Sequence, residues 1–218
     1  MVSFDTLELL LERKDQVFIC IPAGSEGQDK RLKAPISHEV TEALTSYEIK
    51  QLEDMIGYQE QLFDLFRSYG SVRLFCDANS GDSAYYIAHP DEWGELYQDF
   101  KVWLEELEDS EYNELVPSWV GDAVVIGEIP SSGNCILFLT KGSGKGKVFE
   151  FEHDGFQFIE VGKNLVTFVD HISTVTEELI SNIQSHTRIS DGETKTQWVP
   201  VGYKGVDKNG LEVACGED

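Results

Sequence analysis

Residues 148–161 read VFEFEHDGFQFIEV, two runs of β-branched and aromatic residues on either side of His153-Asp154-Gly155. Asp-Gly is a strong hairpin dipeptide, because both residues tolerate the backbone angles that a tight turn demands. Alternation along the first run sends Phe149 and Phe151 to one side and Glu150 and Glu152 to the other. That is the pattern of an antiparallel strand with one face buried. Similar short runs occur upstream at 72–75, 84–87, 123–127 and 135–139. With 148–151 and 156–161 they make about six short strands. Runs this brief and closely spaced predict an α+β fold, a mostly antiparallel sheet covered on one face by helices.

The helices are read from intervals of three and four. Ile49, Leu52 and Ile56, then Leu62, Leu65, Phe66 and Tyr69, fall on one face between residues 47 and 69. Thr45 and Glu48 have the spacing of a capping box. Gly57 breaks this stretch into two helices and Gly70 ends the second. A third helix is marked by Trp93, Leu96, Tyr97, Phe100, Trp103, Leu104 and Leu107. The longest runs through Leu165, Phe168, Val169, Ile172, Val175, Leu179, Ile180 and Ile183, with Asn164 as its N-cap. Residues 45–183 therefore form the expected core domain. Residues 1–44 form an N-terminal extension with a candidate strand at 17–21 and a Gly-rich polar stretch at 23–33. Residues 184–218 hold a polar linker and a candidate hairpin, 198–201 with 211–214 around Lys208-Asn209-Gly210.

Among 218 residues, 17 Lys and Arg stand against 40 Asp and Glu, a formal charge of −23. Such a surface repels phosphates and anionic lipid heads, so neither nucleic acid nor a membrane is an expected partner. It favours a basic protein, and it also serves solubility. The first 14 residues have no basic start and no long apolar stretch, so no signal peptide is expected there. No apolar run approaches the roughly 20 residues that a bilayer crossing needs. Cys20, Cys76, Cys135 and Cys215 form no paired motif, and the expected compartment is a reducing cytoplasm.

No catalytic, cofactor-binding or metal-ligating residue is expected. Lys141-Gly142-Ser143-Gly144-Lys145-Gly146-Lys147 lacks the spacing of a phosphate-binding loop and precedes a strand rather than a helix. It reads as a flexible strand connection and the one locally basic spot. His153 and Asp154 have no second His or Cys at ligand spacing and suffice as turn residues. His38, His89, His171 and His186 are scattered, and no nucleophile elbow occurs. Carboxylates are numerous, but nothing marks one pair as special.

Charge clustering does stand out. Residues 46–115 carry 17 acidic and 4 basic side chains, a net −13, and acids fill six of the ten positions 105–114. Asp91 with Glu95, and Glu105 with Asp109, are like charges at i,i+4, each costing a helix about 0.2–0.5 kcal/mol. Two readings follow: a solvated helix end, or a docking face for a basic partner. On the second, the candidate partner-binding residues are Asp91, Glu92, Trp93, Glu105, Glu106, Glu108, Asp109, Glu111 and Glu114. Trp93, Trp103 and Trp119 have core-like spacing, although one exposed Trp among acids would suit an interface anchor.

Several pieces in order carry a family resemblance. Glu48-Ile49-Lys50-Gln51-Leu52-Glu53 with Ile56-Gly57 begins the series. Leu62, Phe66, Tyr69-Gly70 and Val72-Arg73-Leu74-Phe75 follow. Ile126-Gly127-Glu128, Ser132-Gly133-Asn134, 135–139 and Gly146-Lys147-Val148-Phe149 continue it, with His153-Asp154 and Leu165, Phe168-Val169 and Ile172 at the end. From about residue 46 to 175 the chain resembles the SUKH superfamily, which joins bacterial toxin-immunity proteins with fungal cell-wall assembly regulators. It departs from the family after Gly57, where members often have Leu-Pro and this chain has Tyr58-Gln59-Glu60-Gln61. The resemblance implies a helix-covered sheet without catalytic residues. It implies a cytoplasmic immunity protein that binds and neutralises a cognate polymorphic toxin, for which a basic nuclease would suit the acidic surface. The alternative it carries is an intracellular regulator or scaffold of the cell-wall assembly type.

Overall fold

Thr45 Oγ1 accepts the Glu48 N–H at 3.3 Å while the Glu48 carboxylate accepts the Thr45 N–H at 2.7 Å. Two donors that a helix start leaves unpaired are thus satisfied reciprocally. Thr45→Ala should lower stability by about 1 kcal/mol. Urea melts check this, and an unchanged midpoint would show that water replaces the cap.

The computed structural model describes residues 2–12, 17–22, 32–77, 83–130, 132–174, 196–200, 204–206 and 212–214. In chain order these form α1 (Asp5–Glu12), β1 (Val17–Pro22), β2 (Leu32–Val40), α2 (Ser46–Ile56), α3 (Glu60–Ser68), β3 (Val72–Asp77) and β4 (Tyr85–Ile87). A 3-10 turn at Pro90–Glu92 leads into α4 (Trp93–Glu105), then α5 (Asp109–Leu115), β5 (Ala123–Ile129), β6 (Asn134–Leu139), β7 (Val148–Glu152) and β8 (Gln157–Gly162). The chain continues through α6 (Leu165–Ser173), β9 (Thr196–Pro200), β10 (Lys204–Val206) and β11 (Glu212–Ala214). The class is α+β. Strands β1 to β8 run side by side in sequence order as an antiparallel meander, and β9 joins beyond β1.

All six expected strands are present, as β3 to β8, but the sheet is larger than six. The described residues 2–12 and 32–44 pair and pack with the expected core, and the Gly-rich positions 23–31 lie outside the described residues. β2 pairs with β3 through Ser37↔Cys76, Glu39↔Arg73 and Val40↔Val72. Phe4, Leu7 and Leu10 join the same core as Leu65, Phe66 and Ile172. The Asp64 carboxylate accepts the Val2 N–H at 2.6 Å, and Thr6 donates to Asp170. Helix α1 has only eight residues, too few for its periodicity to show through Asp5, Glu8 and Glu12.

The C-terminal hairpin also differs from expectation. β11 pairs with β10 rather than with the Trp198 segment, which lies in β9 against β1. The nearer segment closes the shorter loop, and β9 covers backbone groups that β1 would otherwise leave unpaired. Of the expected long helix, 165–173 is α6; Val175, Leu179, Ile180 and Ile183 lie outside the described residues, as does the linker at 184–195.

Every residue of β6 is buried. Successive side chains of a strand point to opposite faces, so both faces of this strand are covered rather than one. Helix α4 covers the face bearing Phe151, with the rings of Phe100 and Phe151 5.1 Å apart. At the turn between β7 and β8 the positive φ falls on Phe156 (51°), not on Gly155. The loop is four residues, 153–156, closed by Glu152↔Gln157. The Phe156 ring packs edge-on against Phe151 at 5.0 Å, and that burial offsets the unfavourable backbone angle. In β5, a Cβ at Gly127 would lie 2.1 Å from the Tyr86 carbonyl oxygen, so only glycine permits this strand approach.

A second irregularity sits between β2 and β3, where the register shifts between Ser37 and Glu39. The strained residue is Phe75, at φ 56°. Its N–H donates to His38 Nδ1 at 3.2 Å, and the two rings meet edge-on at 5.0 Å.

Candidate protein-binding surface

The acidic stretch begins where β4 gives way to the 3-10 turn at Pro90. His89 Nδ1 accepts the Asp91 N–H at 3.3 Å, starting the turn and leaving Asp91 exposed. Trp93 then turns inward. It is 5 % exposed, donates its indole N–H to the Ala88 carbonyl at 3.2 Å and packs against Phe66 at 5.7 Å. Trp93 is therefore a core residue, and the expectation that it takes part in binding is corrected. The physical reason is its register with Leu96 and Phe100, the other buried residues of α4. Glu92 is half-buried, with its carboxylate accepting the Tyr86 hydroxyl at 2.6 Å. It holds the turn to the sheet rather than facing a partner.

The remaining candidates are all exposed, but not equivalent. Glu105 pairs with Lys101 at 2.6 Å. Glu108 caps α5, its N–H donating to the Glu111 carboxylate at 3.0 Å. Carboxylates at a helix start are favourable there, so part of the local acid density serves α5 itself. Among the described residues, the carboxylates of Glu106, Asp109 and Glu114 have no partner. Neither Trp103 nor Trp119 supplies an exposed anchor. Trp103 lies over the His153 ring at 4.8 Å, and Trp119 stacks on Phe149 at 4.1 Å.

Sequence reading missed a polar row across the sheet, running from exposed Glu39 through half-buried Arg73 and Glu128 to buried Tyr86 and Cys135. Glu39, Arg73, Tyr86, Glu128 and Cys135 are successive cross-strand neighbours. The Arg73 guanidinium sits 3.9 Å above the Tyr86 ring. Burial raises the Glu128 carboxyl above its ordinary range, and the nearby charges of Asp99 and Glu92 add to the effect. Glu150 is also raised by burial, which an Asn134 amide donor at 2.8 Å partly opposes. The same Asn134 presents its oxygen to His153 Nδ1 at 2.9 Å. These partners are far apart in sequence, and only the strand register brings them together.

Burial pushes both the Cys76 and Cys135 thiols up to about 12, which suppresses the thiolate that nucleophilic chemistry needs. Among the described residues, no group of three or more His, Cys, Asp and Glu is placed to hold a metal ion. A shallow depression of about 250 Å³ is lined by Leu44, Ile49, Lys50 and Arg67, but both cations are already paired, with Asp54 and Asp64. The lysine-rich 141–147 segment does connect two strands. It is tied down rather than loose: Lys145 donates to the Tyr58 carbonyl at 2.9 Å and Lys147 pairs with Glu160 at 2.6 Å. Its Lys145 contact, with the Gln59 amide reaching the Ile56 and Thr140 carbonyls, holds the α2–α3 junction.

Comparisons with family models, with curated proteins and with solved structures return no match to this chain. Among the described residues no helix is long and apolar enough to cross a membrane.

Proposed function

We propose that this chain is an immunity-type protein of the SUKH kind, binding and neutralising a basic polymorphic toxin domain by surface contact in the cytoplasm. The observation that supports it most is the exposure of Asp91, Glu105, Glu106, Glu108, Asp109, Glu111 and Glu114 along the α4–α5 segment of a chain with net charge −23. Such a surface accelerates encounter with a positively charged protein and repels nucleic acid, which would otherwise compete for a nuclease's basic groove.

The test begins with capture of partners from a native-host lysate at low and moderate salt. A single basic protein is expected in equal amount, one that arrests growth when expressed alone and is relieved by this chain. Asp91→Lys, Glu105→Lys, Glu106→Lys and Glu114→Lys leave the Glu108–Glu111 cap intact. Together they should slow association at low salt by at least about tenfold. An unchanged rate would place the steering charge elsewhere. Several substoichiometric partners, none toxic, would sink the immunity reading in favour of a regulatory scaffold.

A further inference from the structure

The core face of α2 is Ile49, Leu52 and Ile56, and its opposite face is equally patterned. Tyr47, Gln51 and Met55 recur at intervals of four, spanning an arc of about 80° pointed away from the core. Tyr47 is 72 % exposed and Met55 63 %, and beyond Gly57 the chain adds Tyr58 at 55 %. Among the described chain's other exposed large apolar residues, Tyr112 and Leu115 also share a face, but on the seven-residue α5 and with lower exposure, 42 % and 41 %. On α4, Tyr97 and Val102 are five apart and therefore point in different directions.

Two of the three anchors are held in place. The Tyr47 hydroxyl accepts the Gln51 amide N–H at 3.2 Å, fixing its ring along the helix. Tyr58 packs edge-on against Phe63 at 5.7 Å, with Lys145 on its carbonyl. The helix is pinned at one end by the Thr45–Glu48 box and at the other by Gly57, whose N–H reaches the Glu53 carbonyl. Tyrosines held this way lose little freedom on binding, the condition under which exposed aromatics become affinity anchors.

From this we infer that α2 is a helix-in-groove contact: Tyr47, Met55 and Tyr58 insert into an apolar groove on another protein whose rim is basic. Charge decides the rim. Residues 46–60 carry Glu48, Glu53, Asp54 and Glu60 against Lys50 alone. Glu48 and Asp54 flank the stripe on the helix surface, and with Lys50 already paired to Glu53 and Asp54 the segment stays net acidic. A second copy of this chain would bring like-charged edges together, and a neutral groove would leave them desolvated without partners. The inference rests on the reading of the chain as a protein binder. It assigns affinity to α2 while the α4–α5 acids set the rate of encounter.

The test places p-benzoylphenylalanine at position 47, 55, 97 or 112 of the full-length chain and irradiates the native host. Adducts to one basic protein from 47 and 55 are expected, mapping to a peptide that contains Lys or Arg beside apolar residues. With that protein purified, Tyr47→Ala combined with Met55→Ala should raise Kd by about 30- to 100-fold. Both side chains are exposed, so an unchanged melting temperature should accompany the loss. Adducts from 97 or 112 but not from 47 or 55 overturn the α2 contact and leave the protein-binding reading standing. No adduct at any position overturns both. An adduct of two copies of this chain, one within a single chain, or a Kd that the double variant leaves unchanged overturns the inference.

Discussion

Phe151→Ala should destabilise the fold by about 3–5 kcal/mol, the range for truncating a fully buried aromatic. Phe151 is completely enclosed. Its ring meets Phe100 at 5.1 Å, Phe156 at 5.0 Å and Phe158 at 5.1 Å, mostly edge-to-face or tilted. Each such pair adds about 0.5–1.5 kcal/mol beyond the area it buries. Three elements meet on this one ring: α4, the β7–β8 turn and β8. The cavity left by alanine cannot be filled by a single rotamer change, because the neighbours are themselves rigid rings. A melting temperature lower by on the order of 10 °C is expected for a domain of this size. A loss below about 1 kcal/mol would show that α4 collapses onto the sheet without it. Phe151→Leu, which keeps much of the volume, should recover a large part of the loss.

The second large effect is a pH dependence centred on His38. Its Nδ1 accepts the Phe75 N–H, so the ring must be neutral with its proton on Nε2. Burial lowers its pKa from 6.5 to about 4. Cys76, Glu39 and Arg73 occupy the adjoining positions of β2 and β3; the Cys76 thiol is neutral, and burial alone accounts for the histidine's shift. A histidine whose folded pKa is depressed contributes full stability above 6.5 and loses it as pH falls toward 4. The change is on the order of 3 kcal/mol across that window. Protonation would also turn Nδ1 into a donor facing the donor of a residue already held at positive φ. Glu128 and Glu150 act in the opposite sense: acids whose folded pKa is raised gain relative stability as pH falls. Wild type and His38→Gln must therefore be compared directly, by urea melts at pH 7, 5.5 and 4.5. The difference between them should change steadily over this range. Parallel curves would mean that the ring takes up its proton without strain.

How much of this was legible depended on whether the deciding interaction was local. The Thr45–Glu48 box, the Asn164 cap and the six central strands are local patterns, and each appears where the residues predict. β2 was not legible because Lys33, Pro35, Ser37 and Glu39 dilute its alternation, and its pairing with β3 supplies what propensity lacks. The acidic surface was legible as charge but not as geometry. Trp93 sits inside the acidic run yet belongs to the core by its register with Leu96 and Phe100. The α2 stripe was written in the same eleven residues that revealed the helix. Reading for the face that builds the core passes over the opposite face, because periodicity alone does not say which face the protein covers.

The docking of α1 has a consequence for synthesis on the ribosome. Strands β3 to β8 pair with sequence neighbours and can form as they emerge. Leu7 and Leu10 lie in a helix that packs against α6, Phe4 just before it joins the same core, and Thr6 bonds to Asp170. At about 5–20 residues per second, the partner follows the helix out by roughly 10–30 s. For that interval the nascent chain displays an apolar helix beside a sheet that is already growing, a ready target for a holding chaperone.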